Sequence, residues 1–184
     1  MKQILVAYNT AEGQTEKIAK YVAAELSKNN CRTDVADIAA FPKDLDWSTI
    51  DGAILCASVH LGKHSGRFVK FIKHYVERLD AIPTLFLSVC LSAQDTQGEK
   101  YEEAEQYIAQ LSEKTGWKPT VSVPVAGALA YQRYGFFKRM MMKSVAKTSN
   151  LSIDTTRDHE FTDWTALENR VDEFVKANVD KKTA

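Results

Sequence analysis

Cysteine is scarce in this sequence: three residues, at 31, 56 and 90, odd in number and far apart. That argues against a disulfide framework and against any Cys-x-x-Cys metal site, and it suggests a reducing compartment. No metal is expected. No apolar run approaches the ~20 residues of a membrane-spanning helix. An excess of one charge is also missing, with 24 Lys+Arg against 24 Asp+Glu, so net charge gives no sign of a nucleic-acid binder. Met1-Lys2-Gln3 leads straight into a strand-like run, so no signal peptide is expected and the expected location is cytoplasmic. No internal repeat or low-complexity linker appears. The expectation is one domain, 1–184, with a sizeable core.

What is present alternates. Ile4 to Tyr8 is a near-continuous apolar run, the mark of a strand covered on both faces. Gln14 to Asn29 follows with Ile18, Val22 and Leu26 on one helix face. Thr33–Ile38, Ala53–Ala57, Thr84–Val89 and Val121–Ala126 read as further strands. Gly66–Leu79 and Lys100–Lys114 read as helices between them, and Thr162 or Asp163 caps a last helix to about Val179. Strand then helix, repeated, means an α/β fold with a doubly wound parallel sheet.

The first strand feeds its helix through Thr10-Ala11-Glu12-Gly13-Gln14-Thr15. The first amides of a helix have no internal partner, and the helix dipole adds roughly half a positive charge there. A phosphate at that point meets several donors, and Gly13 lets the backbone come close. The alternative is an ordinary capped turn. The loop is neither Gly-x-Gly-x-x-Gly nor a Walker A sequence, so dinucleotide and triphosphate readings are weak.

Two more loops reach the same sheet edge: Ser58-Val59-His60-Leu61-Gly62-Lys63-His64 and Ser88-Val89-Cys90-Leu91-Ser92-Ala93. Ligands of open parallel sheets bind beyond the carboxyl ends of the strands. A planar ring fits between these two loops with its phosphate tail in the first. Val59, His60, Cys90 and Leu91 would wall it. Solvent-exposed loop histidines are the plainer reading of His60 and His64. Cys90 reads as a wall residue rather than a nucleophile, since no partner base is evident.

With these features the chain resembles the flavodoxins, Thr10 to Thr15 being similar to their Thr-x-Thr-Gly-x-Thr loop with Glu12 in place of the third Thr. The resemblance implies a five-stranded sheet of order 2-1-3-4-5 and bound FMN. Conventional carriers are strongly acidic and often stack an aromatic on the flavin. This chain is balanced in charge, and neither ring loop holds an aromatic.

Residues 129–161 do not fit that plan, because such a connection usually takes ~2–6 residues. Tyr131 to Lys147 holds Arg133, Lys138, Arg139, Lys143 and Lys147 and no acid. If helical from Phe136, it carries Phe137, Met141 and Val145 on one stripe and Arg139, Lys143 and Lys147 about 160° away. Such a basic amphipathic segment suits an anionic membrane surface or a large amphipathic acid. A helix that packs its apolar stripe on the sheet is the alternative.

The chain also resembles the flavodoxin-like, menaquinone-dependent protoporphyrinogen IX dehydrogenases. The likeness rests on Glu12-Gly13-Gln14-Thr15, Gly127-Ala128-Leu129, the Tyr131-x-Arg133-Tyr134 cluster, the run to Lys147, Asp154-Thr155-Thr156-Arg157 and Phe161-Thr162-Asp163-Trp164. Ala130, where the family tends to have Arg, and Asn150-Leu151-Ser152, in place of a Gly-rich turn, depart from it. The resemblance implies FMN-dependent oxidation of protoporphyrinogen IX in heme biosynthesis. It also implies electron transfer to a membrane quinone and a peripheral place on the cytoplasmic face of the inner membrane, with a homo-oligomer possible. Arg133, Arg139 and Lys143 would pair with propionates, and Tyr131, Tyr134, Phe136 and Phe137 would cover the macrocycle or meet the bilayer. No side chain stands out as a necessary acid or base. Two other readings remain: an FMN carrier docking on a partner reductase, and a binding module without flavin.

Overall fold

The computed structural model describes residues 1–129 and 157–180. The strands are β1 (Gln3–Asn9), β2 (Arg32–Asp37), β3 (Gly52–His60), β4 (Lys63–His64), β5 (Thr84–Cys90), β6 (Val121–Ala126), β7 (Ala128–Leu129) and β8 (His159–Glu160). The helices are α1 (Gln14–Lys28), α2 (Gly66–Asp80), α3 (Glu99–Thr115) and α4 (Trp164–Phe174), the last continuing as a wider turn over Val175–Val179.

The main sheet runs β2-β1-β3-β5-β6, with all neighbours parallel. Without the two-residue β4, that is the expected order 2-1-3-4-5. Side chains alternate across the sheet. Ile4, Val6, Ile54, Cys56, Leu85 and Leu87 face α1 and α4. Leu5, Ala7, Ala53, Leu55 and Phe86 face α2 and α3. The central strands are therefore apolar at nearly every position, and a fully covered sheet requires that.

The helix ends agree with their sequence. Asp163 caps α4 by accepting from the Ala166 N–H at 2.9 Å, which leaves Thr162 free for another task. Ser65 caps α2 by accepting from the Phe68 N–H at 3.1 Å.

Three expectations change. The second strand ends at Asp37, because that side chain accepts from the Ala39 N–H and starts a tight turn at Ile38. The stretch from Ser58 to His64 is a hairpin rather than a loop: β3 continues to His60 and pairs antiparallel with β4, Val59 opposite His64. Its two turn residues, Leu61 (φ 49°) and Gly62 (φ 73°), both have positive φ, the signature of a twist-matched two-residue turn. Finally, both ends of the long excursion are strand-like. Ala128–Leu129 pairs antiparallel with His159–Glu160, and the Phe161 N–H donates to the Gly127 carbonyl at 3.0 Å. The excursion has a stem.

Candidate functional site

At the carboxyl end of the parallel strands, β1 ends in the buried Asn9. The chain then turns through Thr10–Gly13. The Gly13 N–H donates to Thr10 Oγ1 at 2.9 Å, and Gly13 itself sits at φ 96° as the residue before α1. No side chain caps that helix start. Its first-turn amides are thus available to an anion, with Thr15 buried beneath them. Any other residue at 13 would adopt a left-handed conformation at a cost.

The neighbouring loops are tied to this one in sequence around the edge. Ser65 Oγ donates to Asn9 Oδ1 at 2.6 Å, joining the first loop to the hairpin side. His64 Nε2 lies 3.4 Å from Ser88 Oγ, joining the hairpin to β5. The Gly127 N–H donates to the Cys90 carbonyl at 3.1 Å, joining β5 to the stem of the excursion. The stem then closes back on the first loop. Gln14 Nε2 donates to Thr162 Oγ1 at 2.9 Å, and that hydroxyl donates to the Ala126 carbonyl at 2.7 Å. Lys17 Nζ adds an ion pair to Glu160 at 2.6 Å and stands 5.0 Å from the Trp164 ring centre.

The expected ring residues divide. His60, Leu61 and Gly62 are exposed at the hairpin tip, and Ser58 and Val59 are half-buried. Ser88 is fully buried within β5 and faces His64, and Val89 packs in the core beside α4, so neither lines an open loop. Cys90 is buried and Leu91 half-buried. His64 is buried, contrary to the exposed reading, because β4 turns it inward against Phe68 and Phe86. Tyr131, Arg133, Tyr134, Phe136, Phe137, Arg139 and Lys143 lie outside the described residues.

Burial sets the chemistry of these groups. It pushes the Cys90 thiol up to about 11 and Cys56 to about 12, so neither is a thiolate at neutral pH. Alkylation of the native protein with iodoacetamide at pH 8 is expected to label neither, with both labelled after unfolding; mass spectrometry of the labelled peptides checks this. Burial also lowers His64 to about 4, against a smaller upward pull from the Ser58 backbone. His64 therefore stays neutral while folded, whereas the unfolded ring protonates below its ordinary value near 6.5. The unfolded state binds more protons in that window. His64 thus costs stability as pH falls through about 6.5, and the loss levels off below about 4. The full loss is about 3 kcal/mol. Urea unfolding at pH 7 and pH 4.5 should show a smaller acid loss in His64→Phe than in wild type, and equal losses would contradict the assignment.

On α3, Glu103 accepts from Ser92 Oγ at 2.7 Å, which pins the loop after β5. Burial and Glu103 push Tyr107 up to about 12, and its ring reaches the hairpin turn at Gly62. Among the described residues, His64 Nδ1, Gln94 Nε2 and Trp117 Nε1 are buried polar atoms without a hydrogen-bond partner, the first two in the ring-side segments and the third in the core under α3. A cleft of about 330 Å³ at the other end of the sheet, lined by Lys2, Asn29, Cys31 and Asp172 among others, is remote from all of this. No group of His, Cys, Asp and Glu among the described residues could hold a metal ion.

An uncapped helix start, a left-handed glycine before it and ring-side loops on one sheet edge define a mononucleotide-binding α/β protein. The flavodoxin domain model matches residues 5–156, and the chain belongs to that family. It is 31% identical over 165 residues to a protoporphyrinogen IX dehydrogenase [quinone] of Escherichia coli strain K12, covering 90% of each chain. It is 29% identical over 174 residues to a Leishmania major protein of the same name, covering 92% of this chain and 73% of that one. Among solved structures it is similar to oxidised flavodoxin 1 of Bacillus cereus, with a TM-score of 0.54, 17% identity and coverage of 96% and 99%. A short-chain flavodoxin associated with a bacterial microcompartment gives a TM-score of 0.55 at 15% identity, with coverage of 96% and 98%. The cofactor of the fold is FMN, and the chain is an oxidoreductase of this class. The residues present fit that group: the uncapped start of α1 leaves an open cradle for the phosphate.

Thr162 was not legible as a site residue. It stood in the Phe161–Trp164 motif and as one of two possible caps, and its bond to Gln14 spans a separation that local patterning does not carry.

Proposed function

We propose that the protein oxidises protoporphyrinogen IX to protoporphyrin IX and passes the electrons to a membrane quinone. The reaction is a six-electron change, balanced by three quinones becoming quinols. The observation that carries this reading is the stem of the excursion. A simple electron carrier has little use for an aromatic and basic excursion, and here its root is bonded to the phosphate loop through Gln14, Thr162 and Ala126. The shared name of the E. coli and L. major relatives supports the same substrate.

FMN, when bound, supplies the redox chemistry, and the chain supplies position and electrostatics. The amides of Gln14 and Thr15 and the hydroxyl of Thr10 would hold the phosphate, with the Gly13 N–H bonded to Thr10 Oγ1. The hairpin from Ser58 to Gly62 and the residues Cys90 and Leu91, where β5 ends, would flank the ring. Cys90 serves as a small neutral wall. Arg133, Arg139 and Lys143 grip the substrate propionates, and Tyr131, Tyr134, Phe136 and Phe137 cover its macrocycle.

Arg133→Ala tests the propionate role. Losing a charge-assisted contact should lower porphyrinogen turnover roughly ten- to a hundredfold while FMN stays bound at wild-type affinity. Equal turnover in variant and wild type would remove Arg133 from the site.

A further inference from the structure

The two segments on the ring side are weakly held by the sheet itself. Beyond β3 the hairpin pairs with β4 only at Val59 and His60, and its turn, Leu61-Gly62, is exposed. After Cys90 the other segment leaves the sheet and makes a tight turn over Ser92–Gln94, which no side chain caps. Backbone pairing alone therefore does not fix the width of the gap between them.

Helix α3 packs against both the Ser92–Gln94 turn and β4. Glu103 and Tyr107 stand four residues apart on it and so share one face. Glu103 accepts from Ser92 Oγ at 2.7 Å, which holds the segment after β5. Tyr107 holds the hairpin: its Cε1 lies 3.8 Å from the position a Cβ would take on Gly62. The two side chains are also joined to each other. Hydrogen bonds from Ser92 and from Tyr107 keep the Glu103 carboxyl below the usual carboxylate range. Ser92, Glu103, Tyr107 and Gly62 thus make one line of contacts from one ring-side segment to the other.

We propose that Glu103 and Tyr107 are positioning residues, a brace between Ser92 and Gly62 that sets the width of the gap receiving the flavin ring. The brace acts only if the ring lies between these two segments, whatever the substrate. An oxidised isoalloxazine is planar, whereas the free reduced ring prefers to bend. A gap of fixed width disfavours the reduced ring more than the oxidised one, and a loosened gap relieves that bias. The protein's part in flavin chemistry is positioning and tuning of this kind.

The test is the two-electron midpoint potential of FMN bound to the full chain, measured by anaerobic dye-linked titration. The variants cut the brace at its loop end, its hub and its hairpin end: Ser92→Ala, Glu103→Ala and Tyr107→Leu. Each should raise the affinity for reduced relative to oxidised FMN roughly tenfold, which is about 30 mV upward. The Ser92–Glu103 bond is exposed, so Ser92→Ala and Glu103→Ala should leave Tm nearly unchanged. Tyr107→Phe keeps the contact at Gly62 and loses the phenol bond, so its rise should be smaller. A merely structural role would weaken both flavin states alike, and unchanged potentials in all these variants would overturn the proposal. So would a rise in Glu103→Ala alone, which would mean that the carboxylate acts by its charge. His60→Asp places a negative charge on the hairpin and reports where the ring sits; it should lower the potential. If it does so while the brace variants match wild type, the brace alone fails. If His60→Asp also matches wild type, the ring sits elsewhere and the brace falls with that placement.

Discussion

Gly13→Val lowers FMN affinity roughly ten- to a hundredfold. The residue stands at φ 96°, directly before α1, where its amide bonds Thr10 and the next amides form the anion cradle. Valine is β-branched and poorly suited to that conformation, at a strain of about 1–3 kcal/mol. Without ligand the loop can relax to relieve the strain, but binding demands the original geometry and so carries the cost as lost affinity. Gly13→Asn should lose less, because a short polar side chain tolerates the left-handed region. Titration by flavin fluorescence quenching reads both. If Gly13→Val binds as tightly as wild type, the phosphate does not sit at this turn.

Thr162→Val is the second large effect, and it acts on stability. The hydroxyl is buried, donates to Ala126 and accepts from Gln14. Valine keeps the shape and leaves both partners without their bond. Losing a buried partner costs about 1–3 kcal/mol at Ala126, and the half-buried Gln14, which can turn to water, adds about 1, so about 2–4 kcal/mol is expected for the pair. In a chain of this size that lowers Tm by roughly 5–15 °C. FMN affinity should fall as well, because Gln14 opens α1 and loses the contact that fixes it to the stem. Thr162→Ser keeps the hydroxyl and should recover most of both losses. Calorimetry with and without FMN reads them. A valine variant as stable as wild type would mean that stem and phosphate loop are not energetically joined.

The parts of the fold that were legible are those written in local periodicity. Ile4 to Tyr8 and Thr84 to Val89 are apolar at almost every position because α1 and α4 cover one face and α2 and α3 the other. The Gly13 turn was legible because a glycine between strand and helix has few other uses. The hairpin was not, since Leu61-Gly62 lacks the Asn-Gly or Asp-Gly pair that announces such a turn, and Leu61 pays strain to occupy it. His64 was misplaced for the same reason: once β4 exists, alternation turns it inward. The stem was hidden because its pairing joins Ala128 and Leu129 to residues beyond the whole excursion. Local patterns do not record such a distance.

The most direct measurement is anaerobic turnover of protoporphyrinogen IX by the FMN-loaded protein, with and without a menaquinone analogue, followed by porphyrin fluorescence. Quinone-dependent appearance of porphyrin is the predicted result. A yellow protein that forms no porphyrin under either condition would contradict the dehydrogenase reading and leave an FMN electron carrier whose excursion serves a partner.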